Sequence, residues 1–109
     1  MKKSVAGLAG FTVLYTLSLT GLAVGQDPVA EGKKMYEQEC SSCHMANGSG
    51  SGIYPAVNGV SKEKSLEMLK GYQAGTYGGS MKSVMASFVK GKTGQQLEAL
   101  AAYMATLKK

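Results

Sequence analysis

Three residues in this chain have types and a spacing that commit them to chemistry together: Cys40, Cys43 and His44, in the run Cys40-Ser41-Ser42-Cys43-His44. Two thiols separated by two residues and followed at once by an imidazole admit three readings. A disulfide would close a very small loop and remove little chain entropy, and as a redox dithiol it belongs in a βαβ context. Residues 26–109 show no strand alternation to supply one. A structural zinc ion asks for four ligands, and two cysteines with the chain's one histidine leave a carboxylate to improvise the fourth. Covalent haem attachment uses every part: the thiols add to two vinyl groups, and the His after the second thiol falls beneath the iron. The spacing therefore favours haem.

The elements that must position this cluster are helical. Asp27-Pro28 is a helix start, with Asp as N-cap and Pro at the first helical position. That helix runs to about Gln38 with Val29, Gly32, Lys33 and Tyr36 on one side, and it delivers Cys40. Asn47-Gly48-Ser49-Gly50-Ser51-Gly52 reads as a flexible, turn-forming stretch excluded from the core and running around the haem edge. Ser61 caps a second helix through Lys70, with Leu66 and Leu69 inward and Gly71 as its C-cap residue. A glycine-rich loop follows. Ser80 is placed to cap the next segment, where Met81, Val84, Met85, Phe88 and Val89 recur as one apolar helical face. Thr93 and Gln96 predict a capping box. The stripe Leu97, Leu100, Ala101, Met104 and Leu107 follows it, with Lys108 and Lys109 at the end where a helix favours positive charge. The expected fold is all-α, four to five short helices around one haem.

The N-terminal residues read as an address. Lys2 and Lys3 precede an uncharged stretch, and Ala23-Val24-Gly25 offers a small-residue cleavage site. Residues 1–25 are expected to be a secretory signal and 26–109 the single domain. The competing reading is an uncleaved anchor, because the stretch from Ser4 to Gly25 is long enough to span a bilayer. Its glycines, threonines and serines weaken that reading. Without the signal the chain carries ten lysines against seven acids, a formal charge of +3 rather than the +5 of the whole sequence. The sequence contains no arginine, the residue best suited to bidentate phosphate and base contacts, so a nucleic-acid partner is not expected. Lys33, Lys34, Lys62, Lys64, Lys70, Lys82, Lys90 and Lys92 are either a docking surface for an acidic redox partner or simply a solvated face. Eighty-four residues are near the lower limit for an unaided core, and a large apolar cofactor at the centre accounts for the long connections.

The chain resembles the class I c-type cytochromes, most closely the short bacterial monohaem cytochrome c-553 group. Gly32 and Tyr36 ahead of the Cys40-to-His44 run match the N-terminal helix of such proteins. Gly71-Tyr72-Gln73-Ala74-Gly75-Thr76-Tyr77-Gly78-Gly79 matches the distal loop, and Leu100-Ala101-Ala102-Tyr103-Met104 the C-terminal helix. The resemblance implies the cytochrome c fold, with the terminal helices crossing at Gly32 and Tyr36 packed near Leu100 and Tyr103. One residue departs from the family pattern: Met45 stands where such chains commonly have Gly.

Among the seven methionines, Met81 and Met85 share one helical face, and either is otherwise plain core filling. The family pattern Tyr77-Gly78-Gly79-x-x-Lys82-x-Val84-Met85 implies Met85 as the second iron ligand beside His44. It further implies that the Pro55 carbonyl accepts the Nδ1 proton of His44. Tyr72 and Tyr77 are expected to line the haem or donate to a propionate. The function implied is one-electron transfer by a periplasmic monomer that is not an enzyme, between a dehydrogenase or hydrogenase and a membrane-bound oxidase or reductase. The alternatives are an open-site haem sensor or enzyme, and a haem c subunit tethered to one dedicated partner.

Overall fold

The computed structural model describes residues 27–109; the predicted signal segment lies outside the described residues. Five helices follow one another, α1 (Pro28–Glu39), α2 (Ser41–His44), α3 (Lys62–Ala74), α4 (Lys82–Val89) and α5 (Gly94–Met104). No strand is present among the described residues beyond one isolated bridge between Ser51 and Tyr54. The all-α expectation holds.

Local capping explains three of the starts. Asp27 Oδ1 accepts from the Val29 N–H at 3.0 Å, with Pro28 at the first helical position. The Ser61 hydroxyl accepts from the Lys64 N–H at 3.1 Å. Thr93 and Gln96 form the reciprocal box, Gln96 N–H donating to Thr93 Oγ1 at 3.1 Å and Thr93 N–H to Gln96 Oε1 at 2.9 Å. Each satisfies a donor that the first helical turn leaves unpaired.

Four local expectations need correction. α3 does not stop at Lys70: it runs through Gly71 to Ala74 and ends at Gly75, which takes the left-handed conformation with φ +78°. Gly71 is instead a packing position, since a Cβ there would lie 2.5 Å from Tyr77 Cβ. Ser80 makes no cap; α4 is entered through a backbone turn in which the Lys82 N–H donates to the Gly79 carbonyl at 3.1 Å. α5 ends at Met104, so Lys108 and Lys109 lie beyond its last turn. The tail folds back, the Leu107 carbonyl accepting from Gly59 N–H at 3.0 Å and the Lys108 carbonyl from Asn58 Nδ2 at 3.3 Å. Finally, Gly48 in the glycine–serine stretch is buried, and its carbonyl accepts from both Val57 and Asn58 N–H groups. The stretch that reaches the central cavity is the one after it, Ile53 to Val57.

α1 and α5 form the base of the molecule, α3 packs on α5, α4 packs on α3, and α2 packs on α1. The buried cluster comprises Tyr36, Leu69, Val89, Leu97, Leu100, Ala101 and Met104. Tyr36 packs against Tyr103 with ring centroids 5.4 Å apart and the rings tilted by 56°. Gly32 sits where the α1 and α5 backbones meet: a Cβ there would lie 2.0 Å from the Ala99 carbonyl oxygen, a backbone atom with no rotamer to move. Val29 and Lys33 on the same side of α1 remain exposed, because the contact is a crossing rather than a long seam. Gly32→Ala should therefore force the helices apart and cost about 3 kcal/mol, the upper end for overpacking. Urea unfolding of the haem-loaded protein reads this directly, and a loss below about 0.5 kcal/mol would mean the crossing tolerates separation.

Candidate functional site

A cavity of about 510 Å³ lies between α2 with the 53–57 segment and α4, floored by Leu69, Leu100 and Met104. Cys40, Cys43, His44, Pro55, Tyr72, Met81 and Met85 all line it. The apolar face of α4 turns toward this space, which explains why Val84 and Phe88 are 44% and 43% exposed and Ile53 opposite is 71% exposed. Large side chains collected around one cavity and left half open are a surface that a flat apolar ligand would cover.

α2 is one turn long and is fixed from both ends. Cys40 closes α1, its N–H donating to the Tyr36 carbonyl at 2.8 Å, and its own carbonyl then accepts from Cys43 and His44 N–H groups at 3.2 and 3.0 Å. The Ser41 hydroxyl donates back to the Glu37 carbonyl at 3.1 Å. This turn puts both thiols and the imidazole on one wall. No disulfide joins the two cysteines, and burial, helped by the neighbouring Glu39 carboxylate, would push a free Cys40 thiol up to about 11. A dithiol built for exchange needs a depressed value, so the environment speaks against the disulfide-exchange reading. Among the described residues no group of three His, Cys, Asp or Glu side chains is arranged to hold a metal ion.

His44 is 7% exposed, and its Nδ1 lies 2.8 Å from the Pro55 carbonyl. With the proton assigned to Nδ1 as donor, the lone pair of Nε2 is left for the cavity. The carbonyl is held in place by a residue that sequence reasoning passed over. Gly50, at φ +70°, lets the backbone approach so closely that a Cβ would lie 2.7 Å from that same Pro55 oxygen and 2.4 Å from the Tyr54 oxygen, and its N–H donates to the His44 carbonyl at 2.9 Å. Its signal was hidden in a glycine–serine run whose composition suggests only flexibility.

Met45 follows the imidazole with φ 72° and ψ 157°, backbone that is essentially glycine territory. The Tyr36 hydroxyl donates to its carbonyl at 2.7 Å and helps hold the strained turn. Burial, with Cys40 and Tyr103 nearby, pushes the Tyr36 phenol up to about 12, so it remains a donor. Met45→Gly removes the strain, keeps the carbonyl acceptor and pays only some unfolded-chain entropy. It should raise stability by about 1 kcal/mol; an unchanged or lower thermal midpoint would show the Met45 side chain contributing more than the strain costs.

The predicted tyrosines divide. Tyr72 lines the cavity, and its phenol is raised by burial first and by Tyr77 second. Tyr77 stands behind it, its ring edge-on to Tyr72 at 5.1 Å and its hydroxyl donating to Met68 Sδ at 3.2 Å. Tyr77 is not part of the cavity wall. Of the eight lysines considered as a docking surface, Lys33, Lys64 and Lys92 are paired with Glu37, Glu67 and Glu39. Glu39, Lys92, Ile53 and Phe88 line the cavity without having been singled out for it by the sequence. No helix among the described residues is long and apolar enough to cross a membrane.

The donor set and the space together fit haem: two thiols, an imidazole and the thioethers of Met81, Met85 and Met104 line one cavity among apolar side chains. The sequence model of the family described as cytochrome c matches residues 29–108. A cytochrome c-553 of Nitratidesulfovibrio vulgaris is 39% identical over 97 residues, covering 87% of this chain and 94% of the relative. Cytochrome c-554(547) of Halothiobacillus neapolitanus is 33% identical over 72% of this chain and 96% of the relative. A cytochrome c-553 of Desulfomicrobium norvegicum is 37% identical over 69% and 94%.

Proposed function

The chain belongs to the cytochrome c family and carries one covalent haem c, with Cys40, Cys43 and His44 as its CxxCH attachment motif, and from that premise we propose a periplasmic one-electron carrier whose iron is ligated by His44 and Met85. The observation that carries the reading is the pairing of an imidazole already committed through Nδ1 to the Pro55 carbonyl at 2.8 Å with a thioether on another wall of the same cavity. Bound haem supplies a one-electron ferric/ferrous couple. Cys40, at the α1–α2 junction, and Cys43 in α2 would tie it to the chain. His44, oriented by Pro55, offers Nε2, and the hydrogen bond at Nδ1 makes that nitrogen a stronger donor. Met85 offers a soft, neutral sulfur that favours ferrous iron and so raises the potential. If His44 and Met85 both held the iron, the chain itself would leave no room there for a substrate, which is the arrangement of a carrier rather than an enzyme.

With haem in place, Val84, Phe88, Leu100 and Met104 would keep water from its apolar face. Tyr72, kept protonated and with Tyr77 bracing its ring, would be available to donate to a haem propionate. Export through residues 1–25 would deliver a monomer that shuttles between a periplasmic dehydrogenase or hydrogenase and a membrane-bound oxidase or reductase. The test is optical: the ferric protein should show the near-infrared Met-to-iron band, and the ferrous protein should bind carbon monoxide poorly. Absence of the band together with ready carbon monoxide binding would favour an open-site haem sensor or enzyme.

A further inference from the structure

α4 and its N-cap residue carry the two candidate thioethers, yet the main packing partner of α4 is α3 alone. Its N-terminal approach, residues 75–81, is exposed throughout, and its first turn has no side-chain cap. An eight-residue helix with such a lead-in has little to hold it against the cavity. At its other end the situation is different. Lys92 Nζ reaches Glu39 Oε1 at 2.7 Å, joining the α4–α5 turn to the last residue of α1 across 53 positions of sequence. The lysine side chain is 14% exposed and the carboxylate 34%, so this pair is shielded, unlike the half-exposed Lys33–Glu37 and Lys64–Glu67 pairs. The same turn is gripped from α3. Gln73 Nε2 donates to the Val89 carbonyl at 2.9 Å and to the Lys92 carbonyl at 2.8 Å.

We propose that the Glu39–Lys92 ion pair, with Gln73 locking the same turn, is a positioning clasp that holds α4 and its iron-ligating thioether closed over the haem. The inference rests on the His44/Met85 reading above. Its logic is a two-state equilibrium. An external ligand would reach the iron only if α4 swung open, so its apparent affinity would be reduced by the fraction of molecules that are open. Glu39 ends the helix that delivers Cys40, while Lys92 lies three residues beyond the last residue of α4. The pair therefore ties the fixed, covalently attached side of the cavity to the movable one. Charge-assisted contacts in shielded positions are stronger than surface pairs, and breaking this one should favour the open state.

The experiment uses purified haem-loaded protein and imidazole as probe, titrated against the ferric form while the Met-to-iron band is followed. Lys92→Met keeps the aliphatic stem and removes the charge. It should raise imidazole affinity about tenfold, equivalent to 1.4 kcal/mol, and the band should melt at a lower temperature than the helical circular dichroism. Gln73→Met, which alters no charge, should shift affinity the same way by a smaller factor, and the exchanged pair Glu39→Lys with Lys92→Glu should recover much of the loss. A purely structural role predicts lower global stability with imidazole affinity within about twofold of the parent; that result overturns the clasp. If the parent protein itself lacks the band, the failure lies with methionine ligation.

Discussion

Replacing Cys40 and Cys43 together by Ser should give a chain that is largely unfolded or degraded when free of haem. The buried cluster has six residues larger than alanine, and below about 100 residues a core of that size gives little margin. The haem site takes apolar surface away from that margin. Ile53, Met81, Val84 and Phe88 stand 71%, 38%, 44% and 43% exposed around the cavity. Covering four half-exposed large side chains is worth on the order of 4 kcal/mol, close to the whole stability of a small domain, about 5 kcal/mol at the low end. α4 would lose most, since its apolar face looks into the space that haem would fill. Circular dichroism and limited proteolysis of the haem-free double variant measure this. A helical, protease-resistant, haem-free product would mean that the five helices hold together on their own contacts and that the cofactor is a passenger in the fold.

What could be read from the sequence was what acts within about one helical turn. The Asp27, Ser61 and Thr93/Gln96 caps were legible because a side chain there bonds a backbone N–H two or three residues away. The Cys40-to-His44 cluster was legible for the same reason, its spacing being set by one turn of α2. Residues whose role is decided by a distant partner were legible only through the family resemblance, as with Gly32 at the helix crossing and Pro55 beside His44, or not at all. Gly71 looks like a helix terminator in isolation, and only Tyr77 packing against it explains a glycine inside α3. Gly50 is indistinguishable from its neighbours until the Pro55 carbonyl is brought beside it. Glu39 and Lys92 are ordinary charges separated by 53 positions until the fold joins them. The α4 stripe shows the opposite limit. Periodicity predicted that Met81, Val84, Met85, Phe88 and Val89 form one face, but only Val89 of the five is fully buried by protein. A hydrophobic pattern says that a face wants cover, and it carries no information on whether protein or cofactor provides it.

The two thioethers of that face lead to the second large effect. Met85→Ala should open the sixth coordination position, abolish the near-infrared Met-to-iron band, admit carbon monoxide to the ferrous protein and lower the reduction potential, since ferrous iron loses its soft donor. Both Met81 and Met85 line the cavity, so lining alone does not choose between them. Their backbone settings differ. Met85 lies inside α4 and is half-buried, whereas Met81 is the N-cap residue at φ −103°, is 38% exposed, and follows the exposed 75–80 loop. A ligand that must stay in place through each oxidation and reduction is better carried on a helix than at the end of a loop. Met81→Leu exchanges similar volumes and should cost under about 1.5 kcal/mol while leaving the band and the potential unchanged. Spectra of the two variants side by side make the assignment. If Met81→Leu erases the band and Met85→Ala keeps it, the ligand sits one turn earlier, at the N-cap of α4. If neither variant loses it, the iron is not bound by either methionine and the carrier reading loses its main support.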